Sequence, residues 1–273
     1  MAAARPRFAM RGENMLPICY DPYVGTLGRF TRAEIISMVA AAGYDGLNVP
    51  VNDAFLGDAG AAEVDDLMRR IDDAGLIAPC VGYGRYELLT NPDRADEVMP
   101  HFKIALEVAR RVGATIFGIW PPPPKAVSHA EGLDLLTTHL TAMVPALEEH
   151  GLRIAIEFEK GVPIDNYRDG LAYIDDVGLP LLLTADTYHL HNDQADAEQA
   201  ARALGARLGD VHVSGSERGE PKPDAFDMDG FIRGLRAIGF EGPLMAQYHL
   251  KDVESIPRVR AYIAGLRDRI AAD

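Results

Sequence analysis

Residues 152–159 read LRIAIEFE and residues 180–189 read PLLLTADTYH; between them runs KGVPIDNYRDGLAYIDDVGL. The two outer runs are short, apolar and rich in isoleucine and leucine, and each arrives at a carboxylate, Glu157 and Asp186. The middle stretch starts polar, takes a helical pattern from Tyr167 and stops at Gly178. A strand, a crossover helix and a second strand joined in this way make parallel neighbours, because antiparallel ones need only a tight turn.

The same rhythm extends in both directions. Eight β-prone runs are expected: Met15–Cys19, Gly46–Val49, Ile77–Val81, Thr115–Ile119, Arg153–Phe158, Leu181–Asp186, Gly209–Val213 and Pro243–Gln247. Helical patterns begin near Thr31, Ala61, Glu97, Glu131, Tyr167, Ala195, Asp227 and Val253. In the third, Phe102, Ala105, Leu106 and Ala109 mark a buried face by their i, i+3, i+4, i+7 spacing. Glycines lead into most strands: Gly43, Gly75, Gly113, Gly151, Gly178 and Gly239. Eight such units predict an α/β fold, the (β/α)₈ TIM barrel. The rival, an open doubly wound sheet, lacks its mark, since no G-x-G-x-x-G follows the first run. The expectation is a single domain over residues 1–273, with 1–14 as a lead-in arm that has arginines but no apolar stretch of a signal peptide.

Composition narrows the function. The chain has 273 residues, 48% of them hydrophobic, and a formal net charge of -14. That field repels nucleic acid and anionic membranes, so neither is an expected partner. Cys19 and Cys80 form neither a disulfide framework nor a zinc spacing, which fits a cytoplasmic location.

Barrel enzymes keep their chemistry at the C-terminal ends of strands. Four consecutive runs carry polar groups there. Glu157 follows Ile154-Ala155-Ile156. Asp186 closes its run, with His189 three residues on. His212 lies between two valines and precedes Arg218, and Gln247 closes the last run with His249 beyond it. A lone carboxylate at a strand end is usually a helix cap, and a lone strand histidine usually a satisfied core residue. Adjacent strand ends carrying two acids and an imidazole are different, because burying them unpaired is costly. They call for a common partner, and oxygen with imidazole ligands suits one divalent ion: Mn²⁺ first, with Mg²⁺, Co²⁺ or Zn²⁺ as alternatives. Trp120 ends the fourth run ahead of Pro121–Pro124 and is either a platform for a sugar ring or a lid anchor.

Taken in order, Glu157, Asp186-Thr187-Tyr188-His189, His212 with Arg218, and Gln247 resemble the pattern of the xylose-isomerase-like sugar isomerase/epimerase superfamily, in its D-tagatose 3-epimerase type. The stretch CVGYGRYELLTNPDR at 80–94 resembles that family's third-strand segment. The resemblance implies that Glu157, Asp186 and His212 are metal ligands, and that His189 and Arg218 contact substrate oxygens. It also implies assembly into dimers or tetramers, with a partner subunit a further option. The departure is Gln247, where the family carries a glutamate that both ligates and moves a proton. An amide oxygen can ligate, but it is no base. Glu157 then remains as the single carboxylate base, with Glu159, His189 and His249 as candidates for a second proton carrier. With two acids against a dication, Gln247→Glu is expected to tighten metal binding.

The function expected from these residues is proton abstraction next to a metal-polarised carbonyl of a sugar, leading to isomerisation or epimerisation. β-Elimination from a keto-sugar, inosose or glycoside shares that first step and is the alternative. A non-catalytic sugar-binding subunit and an endonuclease IV-like nuclease are the lesser readings.

Overall fold

The computed structural model describes residues 16–57 and 59–271. The arm at 1–14, and Met15 at the start of the first expected strand, lie outside the described residues. Among the described residues nine strands occur: Ile18–Tyr20 (β1), Gly46–Leu47 (β2), Val49–Pro50 (β3), Cys80–Gly82 (β4), Ile116–Ile119 (β5), Arg153–Glu157 (β6), Leu182–Asp186 (β7), Leu208–Val213 (β8) and Leu244–Ala246 (β9). They form one sheet in the order β2-β1-β9-β8-β7-β6-β5-β4-β3, every pairing parallel. β2 and β3 stand at opposite ends of that order, yet only Asn48 separates them in the chain. The sheet therefore closes into a barrel and leaves no open edge.

The count of nine corrects the expected eight at one place. The run Gly46–Val49 serves two neighbours in turn: β2 pairs with β1, and β3 with β4. At the switch, the Asn48 N–H donates to Tyr20 O at 2.9 Å. The expected run Ile77–Val81 is also shifted, because Pro79 has no N–H to give and ladder pairing begins at Cys80. Ile77 keeps only an isolated bridge to Gly46.

Among the described residues eight longer helices follow the expected rhythm: Arg32–Ala41 (α1), Ala61–Asp73 (α2), Ala95–Val112 (α3), His129–Glu149 (α4), Tyr167–Val177 (α5), Ala197–Leu204 (α7), Met228–Ala237 (α8) and Ser255–Ala271 (α9). A short one, Thr187–Asn192 (α6), was not expected. Local chemistry sets the ends. Thr31 with Glu34, and Ser128 with Glu131, form reciprocal capping boxes. Gly113 and Gly178 close α3 and α5 in the left-handed conformation, at φ 75° and 65°. On α3, Phe102, Ala105 and Ala109 are buried as their spacing predicts, and Leu106 is partly so.

Strand alternation divides the side chains into two sets. Ile154, Ile156, Leu181, Leu183, Ala185, Val211 and Val213 join the large cluster shared with the helices, alongside Leu140 and Met143 of α4. A second, small cluster fills the barrel itself: Cys19, Cys80, Ile116, Ala155, Leu182 and Met245. Two residues further along each of those strands lie Asp21, Gly82, Gly118, Glu157, Thr184 and Gln247. The barrel is thus plugged by an apolar layer and carries its polar residues immediately above it, at the C-terminal ends. Between β7 and β8 the register shifts after Leu183, so that Thr184 faces Asp210 and Asp186 faces His212. Gly209 is the extra residue of this bulge, a common device beside active sites.

Closure depends on close backbone approach at Gly46, where an added Cβ would lie 2.2 Å from the carbonyl oxygen of Ile77. Gly46→Ala should therefore cost roughly 2–3 kcal/mol of stability in urea denaturation, the scale of core overpacking. Gly151, at φ 72° with nothing within 4 Å of a Cβ, provides the comparison. Gly151→Ala should lose only about 1 kcal/mol, from conformation alone. Equal losses in the two variants would contradict the closure argument.

Candidate active site

The apolar layer forms the floor of a cavity of about 270 Å³. Its lining brings together Asp21, Glu157, His189, Asp210, His212, Arg218 and Gln247 with Tyr23, Asn48, Tyr86, Trp120 and Glu159. Asp186 is fully buried behind this lining at 0% exposure, bonded to Arg218.

Asp186 combines two uses. One oxygen, Oδ1, accepts from Tyr188 N at 2.8 Å and caps α6, and it also accepts from Ser214 Oγ at 3.3 Å. The other, Oδ2, accepts from the Arg218 guanidinium. The D-x-x-H spacing follows from this geometry: Asp186 is the cap, and His189 is the third residue of the helix, whose side chain turns back beside it. The nearest ligand atoms of Glu157, Asp186 and His189 lie within 4.8 Å of one another. His212 reaches the same two acids, with Nδ1 3.3 Å from Glu157 Oε1 and 3.8 Å from Asp186 Oδ2.

Two imidazoles thus compete for one pair of carboxylates, and their other contacts separate them. The second nitrogen of His212, Nε2, faces Asp210 Oδ2 at 3.5 Å. Asp210 is itself fixed by Thr184 Oγ1, which donates to it at 2.5 Å, and by the Cys80 thiol at 3.5 Å. An imidazole held by a carboxylate on one side presents its other nitrogen in a fixed direction, as metal-bound histidines do. His189 instead directs Nε2 into the cavity, 3.4 Å from Glu157 Oε1 and 3.8 Å from Glu159 Oε2. His212 is therefore held between carboxylates at both ring nitrogens, whereas His189 meets carboxylates through Nε2.

Arg218 is the cation of this cluster. Its guanidinium donates to Asp186 Oδ2 and Gln247 Oε1 and lies 3.7 Å from Glu157 Oε1. Tyr23 and Tyr188 flank it, with ring centroids at 5.1 and 5.2 Å. The residue holds φ at 61°, in a turn closed by Gly215 N donating to Gly219 O at 2.9 Å. A non-glycine residue there costs on the order of 1 kcal/mol or more, which the ion pair offsets. Three oxygens gathered on one positive centre show that Glu157, Asp186 and Gln247 fit a cation.

Protonation follows the same fields. Burial alone would raise the Glu157 carboxyl, but the imidazoles of His212 and His189 hold it well below the usual range. Burial works against the His212 charge, and Glu157 with Asp210 outweighs it, so His212 titrates well above an ordinary histidine. His189 is raised too, against burial, by Glu157 and Asp186. Burial pushes Asp21 upward despite His212 and the amides that donate to it.

The other expected site residues have definite positions. Trp120 lines the cavity, donates from Nε1 to Glu159 Oε2 at 2.8 Å and meets Tyr86 edge-on. β6 ends at Glu157, yet the Glu159 carboxylate still faces His189. His249 stacks on Tyr23 with ring centroids 5.6 Å apart and lines a neighbouring cavity rather than the one that holds Glu157. Sequence reasoning missed Asp21 and Asp210. Both carried a signal, since Asp21 lies two residues past Cys19 and Asp210 two before His212, each on the inward parity. Cys19 and Cys80 are buried free thiols whose pKa values burial pushes well up.

Comparison with known proteins gives the family of the fold. The family described as xylose isomerase-like TIM barrel matches residues 36–268. The chain belongs to that family. Among curated relatives, an L-ribulose 3-epimerase of Methylomonas sp. (strain DH-1) is 35% identical over 77 residues, 28% of this chain and 27% of that protein. This chain therefore spans about a quarter of that relative's length. A D-psicose 3-epimerase of Agrobacterium fabrum is 23% identical over 234 residues, 79% of this chain and 78% of that one. Among solved structures, D-psicose 3-epimerase with D-tagatose from Clostridium cellulolyticum H10 shares the fold with a TM-score of 0.80 at 15% identity, over 93% of this family member and 99% of that chain. Among the described residues, no helix of this xylose isomerase-like barrel is long and apolar enough to cross a membrane.

The charge assignments fix a pH dependence in the metal-free protein. Glu157 has a lowered folded pKa, so its contribution is present above about pH 4.3 and is lost as pH falls through the folded value. His189 and His212 have raised folded pKa values, so theirs is complete below about pH 6.5 and is lost as pH rises through the folded values. Chelator-treated wild type should lose stability above pH 6.5 more steeply than His212→Gln, measured by urea denaturation at stepped pH. Parallel curves would show that His212 carries no proton there.

Proposed function

We propose that this barrel is a divalent-metal-dependent epimerase of keto-sugars, acting at the carbon next to a carbonyl. The observation that carries the reading is the gathering of Glu157, Asp186 and Gln247 around the Arg218 guanidinium, with His212 3.3 and 3.8 Å from the two acids, in a cavity lined by hydrogen-bonding groups. The names of the relatives support the substrate class. Glu157, Asp186 and His212 would hold the ion, with Gln247 Oε1 as the fourth donor and Mn²⁺ as the expected metal. When bound, such an ion polarises a substrate carbonyl and stabilises the negative charge that develops on it.

The remaining chemistry belongs to the chain. Glu157 is ionised and acceptor-only, so it can take a proton from the carbon beside the carbonyl. His189 lies between Glu157 and Glu159 and, with a raised pKa, carries a proton it would donate to a substrate oxygen beside that carbon, and the epimer would form when the carbon is reprotonated from the face opposite Glu157. Arg218, Tyr23 and Asn48 offer donors to hydroxyls, and Trp120 with Tyr86 forms an apolar wall. The apolar layer below excludes water from the reacting end.

Wild-type protein with Mn²⁺ should exchange a carbon-bound hydrogen of a ketohexose such as D-fructose or D-psicose with D₂O and release the epimer. Glu157→Gln with metal still bound should be slower by about 10²-fold or more, the usual share of a general base. Asp186→Ala should lose stoichiometric metal while keeping its far-ultraviolet circular dichroism. Exchange at the wild-type rate in metal-loaded Glu157→Gln would remove Glu157 as the base. An unsaturated, dehydrated product in place of an epimer would assign the site to β-elimination.

A further inference from the structure

Gln247 is held at both ends of its amide. Oε1 accepts from Arg218, and Nε2 donates to Asp21 Oδ2 at 2.7 Å. The two residues are neighbours because the backbone past β1 continues its ladder with β9, where Asp21 N donates to Ala246 O at 3.0 Å. The other oxygen of Asp21 accepts from Asn48 Nδ2 at 2.8 Å. Asp21 is 5% exposed and Gln247 6%. His212 Nε2 lies 4.0 Å from Asp21 Oδ2.

An amide has two unlike ends, and a carboxylate can only accept. Asp21 therefore selects the N–H end of Gln247 and turns the oxygen toward Glu157, Asp186 and Arg218. It also adds a buried negative charge that a count of Glu157 and Asp186 omits.

We propose that Asp21 is a positioning residue of the metal centre: it orients the Gln247 amide oxygen as a ligand and supplies, through that amide, the third negative charge around the ion. The inference rests on the metal-dependent reading above. It reverses the effect expected for Gln247→Glu. A glutamate there would set a second carboxylate at hydrogen-bond distance from Asp21, and the pair would either repel or take up a proton that cancels the added charge. Either way, one substitution cannot restore a third acidic ligand. Exchanging the two groups can, because Asp21→Asn with Gln247→Glu moves the same charge by one residue and keeps a donor facing an acceptor.

The experiment is isothermal titration of chelator-treated protein with Mn²⁺ alone, for wild type, D21N, Q247E and D21N/Q247E, with D186A as the metal-site control. Thermal melting in chelator accompanies it. Wild type should bind one Mn²⁺, and D21N should bind it 10- to 100-fold more weakly, the usual effect of removing a group that orients a ligand. Q247E should bind no more tightly than wild type and should melt roughly 5 °C lower. The double variant should recover the wild-type melting temperature and bind Mn²⁺ within about three-fold of wild type or tighter. Equal Mn²⁺ affinity in D21N and wild type, or ten-fold tighter binding by Q247E alone, overturns the proposal while leaving the metal site standing. Absence of stoichiometric Mn²⁺ from wild type and D186A alike overturns the metal reading itself, and this proposal with it.

Discussion

Four carboxylates, Asp21, Glu157, Asp186 and Asp210, stand above the apolar plug of the barrel, and none is more than 8% exposed. Acids at that depth are tolerable only where positive charge and donors are built around them. Arg218 and two imidazoles supply the charge, and Thr184, Asn48, Gln247 and the α6 backbone supply donors. Removing one member of such a buried cluster typically costs about 3–5 kcal/mol, because the partner is left uncompensated. The strained turn at Arg218, the bulge at Gly209 and the capping geometry of Asp186 are intelligible as means of delivering each group to this one cluster.

The cluster also explains why a chain of this charge keeps so much acid inside. Mutual repulsion of four acids favours anything that adds positive charge at their centre. The guanidinium of Arg218 serves in that position, against oxygens of Asp186, Gln247 and Glu157. Arg218 thereby holds Asp186 and Gln247 in place across the pocket. The tyrosines beside it hold its plane by contact with ring faces rather than by further hydrogen bonds.

Much of this was legible in the sequence because strand alternation carries over from sequence to space without loss. Glu157, Asp186, His212 and Gln247 fall on inward positions of consecutive strands, and their spacing along the chain places them around one axis. The eight-fold rhythm was legible for the same reason, with glycines marking most of the turns into strands. What was not legible depends on local departures from regularity. The break at Asn48 splits one strand between two partners, and nothing in Gly46–Val49 announces it. Asp210 falls inside the expected run Gly209–Val213, but its place opposite Thr184 depends on the bulge at Gly209. Asp21, followed by Pro22, reads as a loop residue, although the ladder continues through its N–H. His249 looked close in sequence to the site, but the stacking of its ring on Tyr23 turns it to the neighbouring cavity.

Around the barrel axis the mouth is lopsided. The ends of β1, β6, β7 and β8 carry the charged groups, while the facing positions on β4 and β5 are Gly82 and Gly118, which contribute no side chains. An added Cβ at Gly118 would meet nothing closer than 3.8 Å, and at Gly82 would meet the Tyr86 hydroxyl at 2.6 Å. Reactivity and capacity are therefore written on opposite walls. A lineage could lengthen, shorten or branch the molecule it accommodates by single changes along the glycine wall, leaving the ionised wall as it is. In that sense the barrel separates what it does from what it does it to, and divergence among its descendants would be expected to accumulate on one side of the axis.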